Sequence, residues 1–126
     1  MARKIIYTDD APEPIGPYSQ AVYINGLLFV PGQIPLDPFS GVLIQDGIEE
    51  ETEQVMQNLK AILHAAEMDF SNVVKCSIFL TDMRDFPKVN EVYGKYFKSQ
   101  APARETVEVS VLPKNAHVEI SCIAAR

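Results

Sequence analysis

The spacing of hydrophobic and polar positions changes period several times along the chain, and each change marks an element. Residues 4–7 read as a short strand, and 21–25 and 27–30 as two longer ones. The last two flank Asn25-Gly26, the pair favoured in a type I′ hairpin turn, where both central residues need positive φ. Over 48–68 the period becomes helical. Val55, Leu59, Ile62, Leu63 and Ala66 recur at three- to four-residue spacing and form one apolar stripe. Glu49, Glu50, Glu51 and Glu53 crowd its first turns, a solvated acid run at the positive end of the macrodipole. His64 falls beside the stripe, as a surface histidine does. The apolar run over 73–81 predicts a central strand covered on both faces. A second helix is predicted over 86–98, with Pro87 in its first turn and a stripe of Val89, Val92, Tyr93, Tyr96 and Phe97. Val107, Val109 and Val111 then alternate with Thr106, Glu108 and Ser110, a half-buried strand entered past Pro102. After a break at 113–116, the last strand over 117–125 places Val118, Ile120, Cys122 and Ala124 on one face. His117, Glu119, Ser121 and Ile123 take the other.

The order is β-β-β-α-β-α-β-β. The strands on either side of the second helix form a βαβ unit and should run parallel. Two amphipathic helices cover only one face of a sheet. The other face, with alternates of the 73–81 strand and Ile123, therefore needs a partner, most simply in a small cyclic homo-oligomer. On local reading alone, the last two strands would pair as a hairpin.

Length and charge narrow the classes. At 126 residues the chain is expected to be one domain, 1–126, with a core that needs no staples. The net charge of −6 and scattered basic residues argue against phosphate-driven nucleic-acid binding. Cys76 and Cys122 each lie in an apolar run and read as buried hydrophobes. No CxxC or Cys/His cluster occurs, so no metal site is expected. Neither a leader-like apolar segment nor a membrane-length run is seen, and a cytoplasmic protein with no membrane partner is the expectation.

Candidate chemistry is sparse. There is no Ser-His-Asp arrangement, P-loop, GxGxxG or HExxH. Gly16-Pro17 places Tyr18 on a constrained segment, where it could close a pocket or plug the core. Three prolines in the eight residues 31–38 end regular pairing, and Gly32 among them lets a group approach the backbone closely. Arg104, at the mouth of its strand, can present a planar fork to a carboxylate. Glu119 is a carboxylate in mid-strand on the face away from the helices. It serves either as an interface ion-pair member or as a group that positions water. Asn90 is polar beside the second helical stripe, and His117 is a further candidate. Strand geometry keeps Arg104 and Glu119 of one chain well over about 10 Å apart, so a site using both would lie between subunits.

Several stretches together carry a resemblance. They are Gly16-Pro17-Tyr18-Ser19-Gln20-Ala21, Gly32-Gln33-Ile34-Pro35, Val89-Asn90-Glu91-Val92-Tyr93, Pro102-Ala103-Arg104 with Val107-Glu108-Val109, Leu112-Pro113-Lys114 and Val118-Glu119-Ile120. In this order, and over essentially the whole chain, they resemble the Rid (YjgF-type) family of reactive-intermediate deaminases. The resemblance implies an α+β, chorismate-mutase-like fold with a mixed six-stranded sheet and two helices on one face. It implies homotrimers with sites in the inter-subunit clefts, and a last strand inserted between the first hairpin and the 73–81 strand. The implied reaction is hydrolysis of 2-imino acids, formed from enamines such as 2-aminoacrylate or 2-aminocrotonate, to 2-keto acids and ammonia. An imine carbon is already electrophilic, so no cofactor is implied. Carried onto this chain, Arg104 would bind the carboxylate, with backbone N–H donors at Thr106 or Gly32. Glu119 would orient water, Tyr18 would close the pocket, and Pro31 and Asn90 would line it. The chain departs from the family pattern at Pro31, where a serine is common, and at Glu105 and Thr106, where serine and cysteine are common. Two other readings share the resemblance: a non-enzymatic module binding 2-keto acids, and an endoribonuclease or translation inhibitor.

Overall fold

The fold was analysed in a computed structural model, which describes residues 2–126. Six strands form one mixed sheet: β1 (Lys4–Ile6), β2 (Ala21–Ile24), β3 (Leu27–Gln33), β4 (Val73–Leu80), β5 (Ala103–Glu108) and β6 (Val118–Ala125). Helix α1 (Ile48–Ala65) lies between β3 and β4, and α2 (Phe86–Gly94) between β4 and β5. The strand order is β1-β2-β3-β6-β4-β5. All pairs are antiparallel except β4–β5, the parallel pair of the βαβ unit. The last strand thus sits between the first hairpin and β4, not beside β5. β6 pairs antiparallel with both β3 and β4 and so joins the first hairpin to the βαβ unit, which leaves the outer edge of β5 open.

The hairpin turn is the one its dipeptide demands, with φ of 53° at Asn25 and 83° at Gly26. Helix α1 stops three residues before the 48–68 period does. Glu67 adopts φ 58°, and the N–H groups of Glu67 and Met68 turn back to the carbonyls of His64 and Leu63. This is a Schellman cap, made without glycine. Helix α2 likewise ends at Gly94, yet Tyr96 and Phe97 still pack inward through a cluster with Phe70 and Tyr93.

One core fills the space between the helices and one face of the sheet. Val55, Met56, Leu59, Ile62 and Leu63 of α1 meet Leu28, Val30, Ile78, Leu80, Val118, Ile120 and Ala124 of the sheet. Burying a side chain of this size stabilises by about 1.5–3 kcal/mol, so this layer carries the fold. Among the described residues the opposite sheet face is covered only at one end, where Phe79 and Val109 pack on a small buried cluster of Ile34, Leu36, Leu112 and Ala116. On this face β4 is half-exposed, through Lys75, Ser77 and Phe79, so the expected cover on both faces is only partial in one chain. That face is also less apolar than expected. The Glu105 carboxylate accepts a bond from the Ser77 hydroxyl and lies 3.3 Å from Lys75 Nζ. Phe29 and Val107 are nonetheless 42% and 41% exposed on it. Val107 of β5 is therefore outward, and Thr106 is the more buried position.

Two buried amides hold the loops that flank the site. The Gln20 amide accepts from Thr8 N–H at 2.7 Å and donates to the carbonyls of Thr8, Ala11 and Pro12. Asn58 donates to the carbonyls of Ile34 and Leu36, tying the segment after β3 to α1. The acid run is not uniformly solvated either. Glu51 is 2% exposed and lies 2.9 Å from His117 Nδ1, which assigns His117 to a structural pair.

Candidate active site

The residues singled out in the sequence fall into two groups, on opposite sides of the sheet. The first gathers at the end of β3. Pairing between β3 and β6 runs regularly to Val30, slips, and resumes at Gln33 opposite Ile120. The strand therefore continues through Pro31 and Gly32, as an irregularity and not as the end expected from the prolines. Glu119 faces this irregularity from β6. Its carboxyl lies so close that a Cβ built on Gly32 would stand 2.5 Å from Glu119 Cδ and 2.6 Å from Oε2. Gly32 is thus required by the approach of a carboxylate from the same chain. Glu119 is half-buried, and among the described residues its carboxylate makes no hydrogen bond or ion pair. Burial alone raises its pKa above the ordinary glutamate range.

Tyr18 stands next to this group. It is 47% exposed, so it does not plug the core. Its hydroxyl accepts from Ile15 N–H at 3.1 Å, and Tyr18 N–H closes a tight turn onto Gly16 O at 2.8 Å. With Phe29, Pro31, Lys75, Ser77 and Ser121 it lines a groove of about 360 Å³ on the open face. A larger hollow of about 510 Å³ lies against the outer side of α1, lined in part by Asp37, Phe39, Lys60 and His64. It contains none of the sequence-predicted site residues.

The second group gathers at the β5 edge, on the helix side. Arg104 Nη1 donates to Asn90 Oδ1 at 2.7 Å. The guanidinium carbon lies 5.3 Å from the centre of the Phe86 ring and 5.1 Å from that of Tyr93. Asn90 is therefore a partner of Arg104. Val109 N–H bonds Leu80 O at 2.7 Å, which fixes the phase of the β4–β5 ladder. The N–H groups of Arg104, Thr106 and Glu108 consequently point away from the sheet along its free edge. The Thr106 hydroxyl is buried and has no partner among the described residues. The edge thus presents a cation and an unpaired amide side by side, a combination suited to an anion. Beneath it, the buried thiols of Cys76 and Cys122 sit opposite one another on β4 and β6, with their pKa values pushed up by burial.

One chain does not bring the two groups together. Arg104 is level with Cys76 and, through it, with Cys122, whereas Glu119 lies three residues further along β6. Two strand spacings across and three residues along put their Cα atoms about 14 Å apart, with side chains on opposite faces. Gln20 and Asn58, which hold the flanking loops, and Phe86 were not singled out in the sequence. Gln20 was legible only as part of the Gly-Pro-Tyr-Ser-Gln segment. Among the described residues no group of three or more potential metal ligands occurs, and no helix is long and apolar enough to cross a membrane.

Comparisons with known proteins agree over the full chain. Residues 8–126 match the family model described as endoribonuclease L-PSP. The protein DfrA of Myxococcus xanthus is 55% identical over 126 residues, covering 98% of this chain and 96% of its own. The 2-iminobutanoate/2-iminopropanoate deaminase of Mus musculus is 48% identical, covering 100% and 93%. The crystal structure of YyfA from Yersinia pestis, of the conserved Rid protein family, superposes with a TM-score of 0.97 at 47% identity, covering 99% and 100%.

Proposed function

The chain belongs to the endoribonuclease L-PSP family, in which the Rid proteins fall, and from that membership we propose that it hydrolyses 2-imino acids to 2-keto acids and ammonia in clefts between subunits. The observation that carries this reading is the separation of Arg104 from Glu119. Each has the surroundings of half a site, and neither half is complete within one chain.

The chemistry suits what the two halves hold. Arg104 and the free Thr106 N–H bind the substrate carboxylate. The imine carbon beside that carboxylate is electrophilic without further activation. Glu119, from a neighbouring subunit, orients a water molecule and accepts its proton as the C–O bond forms. Addition gives a tetrahedral carbinolamine. Its nitrogen takes a proton and departs as ammonia, with the C–N bond broken and the carbonyl formed. Water and imine enter, 2-keto acid and ammonia leave, and no redox equivalent is needed. A carboxylate with a raised pKa is a stronger base, which serves this step. Tyr18 covers the pocket, and Pro31 gives its wall an apolar surface where a hydroxyl is common in the family.

A closed ring joins the halves, since each open sheet face then meets a neighbour, and the family resemblance implies a ring of three. The test is ammonia release from 2-aminoacrylate and 2-iminobutanoate generated in situ by a pyridoxal-phosphate dehydratase. Wild type should accelerate release, and Arg104→Ala should remove the acceleration. Equal rates with and without wild-type protein would leave only a metabolite-binding module. RNA cleavage that persists in Arg104→Ala would point to a different site.

A further inference from the structure

Arg104 is an exposed arginine on an edge strand, and such a side chain ordinarily samples many rotamers. Here it is docked. Phe86, Asn90 and Tyr93 recur at i, i+4 and i+7 and so share one face of α2. The two rings lie within 5.3 Å of the guanidinium carbon, and Asn90 takes one of its five N–H groups. The rings are themselves fixed. Tyr93 is 4% exposed and packs on Phe97 at 4.8 Å. Phe86 opens α2 directly after a turn in which the Asp82 carboxylate accepts from Arg84 N–H. The remaining guanidinium donors are left at the β5 edge, where the Thr106 N–H also points.

We propose that Phe86 and Tyr93 are positioning residues for Arg104: with Asn90 they form a guanidinium cradle that holds the fork in its carboxylate-binding orientation before substrate arrives. This rests on the reading of Arg104 as the carboxylate anchor. A filler role for the rings would need only their volume. A cradle needs their π faces, because the attraction is between a cation and the ring quadrupole.

Phe86→Leu and Phe86→Tyr separate the two roles. The stable ligand 2-oxobutanoate stands in for the imino acid in calorimetry, and ammonia release gives KM and kcat. Losing one ring face should weaken 2-oxobutanoate binding and raise KM by about 3- to 30-fold, with kcat changing less. Phe86→Tyr should bind as wild type. A second readout needs no ligand. The Arg104 Nε–Hε resonance of ¹⁵N-labelled protein should be ring-current shifted in wild type and in Phe86→Tyr, and should move toward the free-arginine position in Phe86→Leu. Wild-type binding by Phe86→Leu, or equal loss in Phe86→Leu and Phe86→Tyr, overturns the cradle. If wild type neither binds 2-oxobutanoate nor releases ammonia, the functional reading has failed. The resonance then decides the cradle by itself: a shift lost in Phe86→Leu upholds it, and no shift in wild type overturns it.

Discussion

The two halves of the proposed site are provisioned in opposite ways. Arg104 is surrounded by groups that satisfy it: an amide oxygen at 2.7 Å and two aromatic faces, all from one helix. Glu119 is surrounded by groups that do not. It is half-buried against a glycine, with no partner among the described residues, and burial raises its pKa. The difference follows from what each must do. An anchor binds the same carboxylate throughout the reaction and gains from being held. A base must exchange a proton, and a carboxylate already neutralised by an ion pair would do so poorly. The strain therefore sits on the catalytic half and the order on the binding half.

The largest effect tests whether the halves belong to different subunits. Arg104→Ala and Glu119→Gln should each be nearly inactive as pure proteins. Unfolded together and refolded, they should form mixed rings. A site is intact when the arginine comes from a Glu119→Gln subunit and the glutamate from an Arg104→Ala subunit, which random assembly into a ring supplies at about a quarter of sites. Recovery of about that share of wild-type ammonia release is expected. No recovery, with mixed rings shown by native mass spectrometry, would place both residues in a single-chain site.

Glu119→Gln by itself should move activity and stability in opposite directions. Loss of a positioned base lowers kcat by about 10²- to 10⁴-fold. Stability should rise at neutral pH, because the folded chain holds an unpaired carboxylate at a cost. The sign follows from the raised folded-state pKa. In the window from the ordinary glutamate value up to that raised value, the folded state binds more protons than the unfolded state. Stability is then full below the window and falls as pH climbs through it. Thermal melts across this window should show the fall in wild type and its loss in Glu119→Gln. The acid limb of kcat/KM should lie above the ordinary glutamate range. A variant less stable than wild type at pH 7 would show that Glu119 is held by a partner.

Gly32→Ala should damage the same half without touching its chemistry. The added methyl meets Glu119 at 2.5 Å, so the carboxyl must swing away or the β3 irregularity must shift. A fall in kcat of about tenfold or more, with a lowered Tm, is expected, since overpacking of this kind costs about 1–3 kcal/mol. If Gly32→Ala keeps full activity, the fixed position of Glu119 is not needed.

The same contrast governs how far the sequence could be read. Element order followed from period alone, because every stripe that forms the core repeats visibly, as in Val55 to Leu63 or Val118 to Ala124. The type I′ turn was legible because Asn25-Gly26 can do little else. Gly32 could be flagged as a point of close approach, but the approaching atom is 87 residues away in sequence and belongs to another strand. Strand order, likewise, rests on β6 inserting beside β4, a long-range pairing that no local pattern encodes. It was reachable only through the family resemblance. The β5 alternation misled for a physical reason. Val107 and Val111 face the open side while Val109, in the same phase, packs on a small second cluster, so an apolar phase that normally marks a core here marks in part a surface awaiting a neighbour. Glu51 was misjudged by exposure rules, which cannot see a partner across the fold such as His117.

The smallest effect probes the ordered half. Asn90 is itself exposed, and water can replace its oxygen when it is removed. Asn90→Ala should therefore leave Tm unchanged. It should raise KM and the Kd for 2-oxobutanoate by about tenfold, in line with one hydrogen bond to a charged group, while kcat stays near wild type. The two rings still hold the guanidinium in this variant, so its loss should be smaller than that of Asn90→Ala combined with Phe86→Leu. Strict additivity of the two changes would mean that ring and amide act independently. A double variant worse than the sum would mean that each partner compensates in part for loss of the other and that only the loss of both sets Arg104 fully free. The second outcome is expected, because the partners restrain the same torsions of one side chain. It would also show why this half tolerates exposure while the Glu119 half does not: redundancy protects an anchor, and a base has none.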